Sequence, residues 1–229
     1  VALIFTIVAI CTKGNETGSN TLEFSSVVFV SVIGVLGYKE DFKALLQNGY
    51  TRKYIFGATV CMFTLLAGTM ALIDTLDQVD NKDHKYDAEC KMLEDAFKDL
   101  VDSMLKYQDE SGMWYQVVNY GGMEKNYLET SGSSIMAYAI LKGVRLGYLP
   151  ENYREYAEKA INGICDKYLN IKDGEMSLGG ICLVAGLGGK GNRPGTYDYY
   201  MSEPIVEDDA KGVGPFLLAY TELLRYQNK

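Results

Sequence analysis

Four helical patterns between residues 87 and 226 alternate between two kinds, and this alternation limits the folds open to the chain. The patterns at 87–107 and 152–169 are amphipathic, because apolar side chains recur every three or four residues and charged ones fill the opposite face. The patterns at 126–142 and 211–226 are apolar almost all round, which predicts helices buried on most sides. We therefore predict an all-α fold of helical hairpins, each with an outer and an inner helix, stacked around a common axis.

Two comparable loops lead from an outer helix into an inner one, at residues 108–125 and 170–210. The second contains a predicted β-hairpin, with strands at 174–178 and 181–184 on either side of a Gly-Gly pair. Two helical hairpins cannot close a ring. We therefore expect both inner helices to be exposed on the side where further hairpins belong.

The first 80 residues differ in character, because they contain long runs without a charge. Residues 54–73 are 20 uncharged residues, which as a helix would extend about 30 Å, the thickness of the membrane hydrocarbon. Shorter runs at 24–38 and 1–12 predict one or two further hydrophobic, transmembrane-like helices. The alternative is that these runs form buried helices of a large soluble core.

The loop between the second and third runs is basic, which places it in the cytoplasm by the positive-inside rule. Its sequence, KEDFKALLQNGYTRKYIFG, resembles the cytoplasmic loop of permease subunits of ABC-type exporters. That resemblance covers about residues 1–76 and implies a piece of a transport channel that contacts the membrane. We predict three segments: a membrane-like permease fragment at 1–80, a charged junction at 81–86 and a helical domain at 87–229.

Composition excludes some functions. The net charge is −8, which argues against nucleic-acid binding because that function needs a basic face. The five cysteines show no CxxC spacing, which favours buried thiols over a disulfide framework or a zinc site. We predict no cofactor and no metal.

Three motifs in the helical domain carry a second resemblance: DESGMWYQVVN at 109–119, NYLETSGSSIMAYAILKGVRLGYL at 126–149, and a string that begins LGGICLVAGLGG at 178 and ends FLLAYTEL at 223. They resemble the unsaturated glucuronyl and rhamnogalacturonyl hydrolases, glycoside hydrolase families 88 and 105, with family 105 the nearer. The resemblance covers about residues 87–229. It implies a partial (α/α)6 barrel, which agrees with the alternation of helices.

The same resemblance implies an activity, the removal of a terminal 4,5-unsaturated uronic acid from pectin-derived oligosaccharides. The chemistry implied is hydration of the enol-ether double bond, with an Asp as general acid and base. In the family, the catalytic Asp, its partner Asp and a substrate-contacting His lie in earlier hairpins, where this chain has permease-like residues. The only histidine is His84, in the charged junction. We therefore assign no catalytic residue and predict that the chain is inactive by itself.

Four residues are candidates for binding an unsaturated uronate-containing oligosaccharide: Trp114, Tyr115, Gln116 and Lys211. In a barrel of this kind, outer-to-inner loops gather on one rim, so Trp114 could either stack on a sugar or anchor its loop against helix ends. Lys211 could pair with a uronate carboxylate, whereas Asp209 suits the N-cap of the last helix.

For the whole chain we favour a fusion of two unrelated segments, with the first in the membrane and the hydrolase-like part in the cytoplasm. The alternative is a permease fragment with an appended helical domain.

Overall fold

The structure, a computed structural model, describes residues 65–79, 82, 84–185, 193–194 and 196–227. The predicted membrane helices at 1–12 and 24–38, the basic loop and most of the run at 54–73 lie outside these residues. Within the described ranges, no helix combines the length and the apolar character needed to cross a membrane.

Helices dominate the part of the chain that the structure describes. The predicted alternation is confirmed, since α2 (Asp87–Leu105) and α4 (Arg154–Tyr168) are amphipathic outer helices, and α3 (Thr130–Leu146) and α6 (Ala210–Gln227) follow the two loops as inner helices. Two single-turn 3₁₀ helices lie at Val118–Tyr120 and Glu151–Tyr153. The α-helices are α1 Leu65–Gln78, α2 Asp87–Leu105, α3 Thr130–Leu146, α4 Arg154–Tyr168, α5 Tyr197–Ser202 and α6 Ala210–Gln227.

Helix α3 is the centre of the core, because it packs against α1, α4 and α6. The prediction that this inner helix is exposed is wrong, since α1 covers the side that two hairpins alone would leave open. The same prediction is confirmed for α6, where Leu217, Leu218 and Leu224 are exposed. Helix α6 therefore presents an apolar face that no described residue covers.

Helix α1 contains the end of the predicted membrane run, but it packs into the hydrophobic core beside α3. Ile73 is fully buried in the same hydrophobic cluster as residues of α3. Asp74 and Asp77 form ion pairs of 2.7 and 2.8 Å with Lys142 of α3, whose side chain is 8% exposed. For residues 68–73, the structure therefore favours the alternative of a buried helix over a membrane span.

The ion pairs of Lys142 set its charge state. Burial alone would lower the pKa of Lys142, but hydrogen bonds with Asp74 and Asp77 raise it above its ordinary value of 10.5. Because the pKa of the folded state is the higher one, the pairs contribute fully at neutral pH. Their contribution is lost only as the pH rises through strongly alkaline values.

Short antiparallel strands connect the loops and add β-structure to a mostly helical chain. The predicted hairpin has the wrong partner, because β4 (Glu175–Leu178) pairs with the strand before it, β3 (Leu169–Lys172), and not with the strand after it. The reason is the Asp173-Gly174 turn, where φ is positive at both residues, as a tight hairpin turn requires. The paired strands are β1 Trp114–Tyr115 with β2 Leu128–Glu129, β3 Leu169–Lys172 with β4 Glu175–Leu178, and β5 Ile181–Cys182 with β6 Ile205–Val206.

Gly163 of α4 allows the loop before β1 to pack closely against this helix. A methyl group added at Gly163 would overlap the backbone carbonyl oxygen of Ser111, which cannot move without its loop. We expect Gly163→Ala to lower the free energy of unfolding by about 1–3 kcal/mol, the usual cost of overpacking. Gly68→Ala in α1 is the control, because nothing lies within 4 Å of its added methyl group and no proline follows it. It should raise stability by about 0.5–1 kcal/mol. Urea unfolding should show that stability falls for Gly163→Ala and rises for the control. Equal changes in the two variants would contradict the packing argument.

Candidate functional site

A cavity of about 410 Å³ opens between the N-terminal ends of the two inner helices, α3 and α6. The loop that carries β1 forms one wall, and residues 182–185 after β5 form another. Most of the lining is apolar, including Met70, Met104, Val118, Ile135 and Pro215. All four residues predicted to bind substrate line this cavity: Trp114, Tyr115, Gln116 and Lys211.

Trp114 is both an anchor and a wall of the cavity. Its side chain is 2% exposed, and its indole Nε1 donates a hydrogen bond of 2.8 Å to the carbonyl oxygen of Met104. Its backbone N–H donates to Oγ of Ser133, at 2.9 Å, which ties the loop to α3. The loop-anchor alternative is therefore confirmed. The polar edge of the ring is occupied, so only its apolar surface remains for a ligand.

Tyr115 and Gln116 extend this wall but differ in environment. Tyr115 is half-buried, and its pKa is raised first by burial and then by the nearby Asp109 carboxylate. Gln116 is 1% exposed, yet neither its amide oxygen nor its amide nitrogen has a hydrogen-bond partner among the described residues. Its backbone N–H donates to the carbonyl of Tyr127 at 2.8 Å, which fixes its position.

Glu129 joins the two walls of the cavity, a role that its sequence position did not reveal. Glu129 is the N-cap of α3, and its carboxylate accepts from the Gly132 N–H at 2.6 Å. The same carboxylate accepts from the Ser131 hydroxyl at 2.7 Å and from the Cys182 N–H at 3.1 Å. It is 5% exposed, so a buried carboxylate connects the two walls through hydrogen bonds.

Lys211 lies at the cavity and carries its positive charge. Its side chain is 48% exposed and forms an ion pair of 3.0 Å with Asp209. Asp209 directly precedes α6 and accepts from the Lys211 N–H at 2.9 Å, as predicted for an N-cap. Hydrogen bonds from the Lys211 backbone and side chain lower the pKa of the Asp209 carboxyl. A ligand carboxylate could take the place of Asp209 on this ammonium group.

The cavity has the groups to bind a ligand but lacks an evident acid and base. Glu129 is the one carboxylate among the lining residues that the structure describes, and three donors already occupy it. His84 is exposed and contacts Asp87 at 3.3 Å. Across the described ranges, no three His, Cys, Asp or Glu side chains meet in a way that could hold a metal ion.

The second wall, from Cys182 to Ala185, was not predicted as part of the site. The only signal was its place in the LGGICLVAGLGG motif, since the wall meets α3 through contacts remote in sequence. Thr130 shows this, because its hydroxyl and its backbone N–H donate to the carbonyl oxygens of Gly179 and Gly180, respectively.

Solved structures that the chain resembles include glycoside hydrolases of family 105. A family 105 glycoside hydrolase from C. acetobutylicum is 48% identical with a TM-score of 0.64, over 69% of this chain and 43% of that one. A possible family 105 member from Klebsiella pneumoniae is 30% identical with a TM-score of 0.58, over 71% of this chain and 38% of that one. The chain thus spans less than half the length of these structures.

Comparison with protein families gives the particular family. Residues 68–227 match Glycosyl Hydrolase Family 88, and the chain belongs to that family. Among curated proteins, Protein Atu3128 of Agrobacterium fabrum is 41% identical over 162 residues, 68% of this chain and 67% of that protein. The 24.9 kDa protein in the picA locus of Rhizobium radiobacter matches to the same extent.

These findings confirm the hydrolase resemblance, whereas the permease resemblance of residues 1–76 has no support from them. The family match begins at residue 68 and so overlaps the predicted membrane-like segment at 1–80. The division of the chain at 81–86 stays a prediction.

Proposed function

We propose that this chain is the C-terminal part of a hydrolase that removes 4,5-unsaturated uronic acid from pectin-derived oligosaccharides. Family membership supports a carbohydrate substrate. The observation that carries the finer proposal is the convergence of Trp114, Tyr115, Gln116 and Lys211 on one cavity. An apolar aromatic surface suits a sugar ring, and an exposed ammonium group suits its carboxylate.

We further propose that the chain binds this substrate without turning it over. The resemblance places the catalytic Asp and its partner in hairpins that have no counterpart among the described residues, and Glu129 is held by three hydrogen bonds. Incubation of the full chain with an unsaturated digalacturonide tests this. We expect the ultraviolet absorbance of the conjugated double bond to stay constant. Steady loss of absorbance with time and protein concentration would contradict the proposed inactivity.

Lys211→Met tests the binding site itself. Because Lys211 is about half exposed, its pairing with a carboxylate is screened, so we expect the Kd for the unsaturated digalacturonide to rise about threefold to tenfold. The loss should shrink as salt is added, since screening already weakens the wild-type contact. Isothermal titration or ligand-observed NMR measures the Kd.

Lys172→Met is the matched control. Lys172 is an exposed lysine of β3 that does not line the cavity, so its replacement should leave the Kd unchanged. An equal loss in both variants would assign the effect to net charge and would refute a specific contact at Lys211.

A further inference from the structure

Three neighbouring polar groups, on Gln116, Tyr127 and Cys182, are buried without good hydrogen bonds. The amide oxygen and nitrogen of Gln116 and the hydroxyl of Tyr127 are shielded from solvent and have no partner in the described parts of the chain. Burial raises the pKa of the Cys182 thiol, and contacts with Tyr127 and Gln116 lower it. Neither contact has the geometry of a hydrogen bond. Gln116 and Cys182 both line the cavity.

Buried amides and hydroxyls without partners are rare in folded proteins, because burial removes their hydrogen bonds to water and nothing replaces them. Flexibility of the loop does not explain why the Gln116 amide has no partner. The Asn126 side chain accepts from the Val117 N–H at 3.2 Å and donates to the carbonyls of Val117 and Tyr120 at 2.9 and 2.8 Å. The loop is therefore fixed in a conformation that leaves the Gln116 amide unpaired.

The unused hydrogen-bond donors and acceptors determine which ligand group fits. The Gln116 amide offers two N–H donors and one acceptor, and the Tyr127 hydroxyl offers one donor and accepts as well. A carboxylate can only accept and an ammonium group can only donate. A neutral hydroxyl group both donates and accepts, so it can pair with either end of the Gln116 amide. The surrounding cavity wall is apolar at Trp114, Val118 and Met104, so it offers such a group few competing partners.

We propose that the Gln116 amide forms a hydroxyl-recognition subsite in this cavity and determines specificity for one hydroxyl group of a bound sugar. The subsite rests on the proposed function only for the carbohydrate class of the ligand. It is separate from the carboxylate contact at Lys211, because it selects a neutral group. A sugar that lacks this one hydroxyl leaves the amide unpaired and binds more weakly.

The first arm of the test is stability, with Gln116→Met in the full chain. Methionine keeps the length of the side chain and removes both unpaired polar atoms, so we expect the melting temperature to rise by about 2–4 °C. Gln108→Met is the matched control, because the Gln108 amide donates to the carbonyls of Gly112 and Tyr156 at 2.7 and 2.9 Å. Its melting temperature should fall. A fall for Gln116→Met as well would mean that the amide is satisfied in the free protein and would overturn the proposal.

The second arm is binding, measured by ligand-observed NMR with an unsaturated digalacturonide, its saturated counterpart and monodeoxy analogues of each. For the wild type, we expect one deoxy position to raise the Kd about tenfold. Gln116→Met should raise the Kd of the parent sugar about as much and should no longer discriminate against that deoxy analogue. Gln108→Met, outside the cavity lining, should still discriminate.

The outcomes separate this inference from the proposed function. If saturated and unsaturated sugars bind alike but one deoxy position is still rejected, the unsaturated-uronate proposal fails and the subsite stands. If unsaturated sugars bind better but all deoxy analogues bind equally, the subsite fails alone. If neither kind of sugar binds, both are overturned.

Discussion

Glu129→Ala is expected to lower the free energy of unfolding by about 2–4 kcal/mol and to separate the two walls of the cavity. The change removes the N-cap of α3, which contributes about 1 kcal/mol. It also leaves the buried N–H of Cys182 without its acceptor, which costs about 1–3 kcal/mol more. Urea unfolding measures the loss of stability. A shift in the fluorescence emission maximum of Trp114, the only tryptophan, would show that the cavity wall has loosened.

Two variants define the controls for Glu129. Glu124 is exposed in the same loop, so Glu124→Ala should change stability by less than about 0.5 kcal/mol. Glu129→Gln keeps the shape but directs an N–H₂ group at donors, so it should lie between the wild type and Glu129→Ala. If the free energy of unfolding of Glu129→Ala equals that of the wild type, the three contacts of this carboxylate contribute nothing net to stability.

Lys142→Met is expected to lower the free energy of unfolding by about 2–3 kcal/mol. Removing one partner of a buried ion pair costs about 3–5 kcal/mol when the remaining charge is fully buried. Here Asp74 and Asp77 are 24% and 35% exposed, so water recovers part of the loss. The contact of Lys142 with the Tyr138 hydroxyl is lost as well.

A surface lysine and a combined variant control for the Lys142 result. Lys91 is 66% exposed and pairs with Asp95, so Lys91→Met should change stability by less than about 1 kcal/mol. Combining Lys142→Met with Asp74→Asn and Asp77→Asn should restore much of the loss, because no unpaired charge remains between the helices. No recovery in this combined variant would mean that the lysine contributes through packing of its stem and not through its charge.

Local periodicity is sufficient to predict α2, α3, α4 and α6, because in each of them the apolar residues recur with a helical repeat. Periodicity is insufficient for α1, because a buried helix and a membrane helix share the same uncharged pattern. What separates them is Lys142, which lies 68 residues after its partner Asp74. Such a distant pairing leaves no signal in either local sequence.

The two walls of the cavity also differ in whether the sequence predicts them. Trp114, Tyr115 and Gln116 are adjacent in sequence and belong to a recognisable motif, so the first wall could be predicted. The second wall depends on the bond between Glu129 and Cys182, 53 residues apart. Its strands are two residues long, too short for an alternating pattern. The unpaired state of Gln116 is invisible in the sequence because it depends on every neighbouring side chain.

The Asp74 and Asp77 pairs with Lys142 also decide where a shortened protein can begin. A truncation at residue 87, the predicted start of the helical domain, would remove both carboxylates and Ile73 together with the rest of α1. Lys142 would then lie on α3 with its charge uncompensated, beside an apolar face newly open to solvent. A soluble truncated protein should therefore keep α1 whole and start ahead of residue 65.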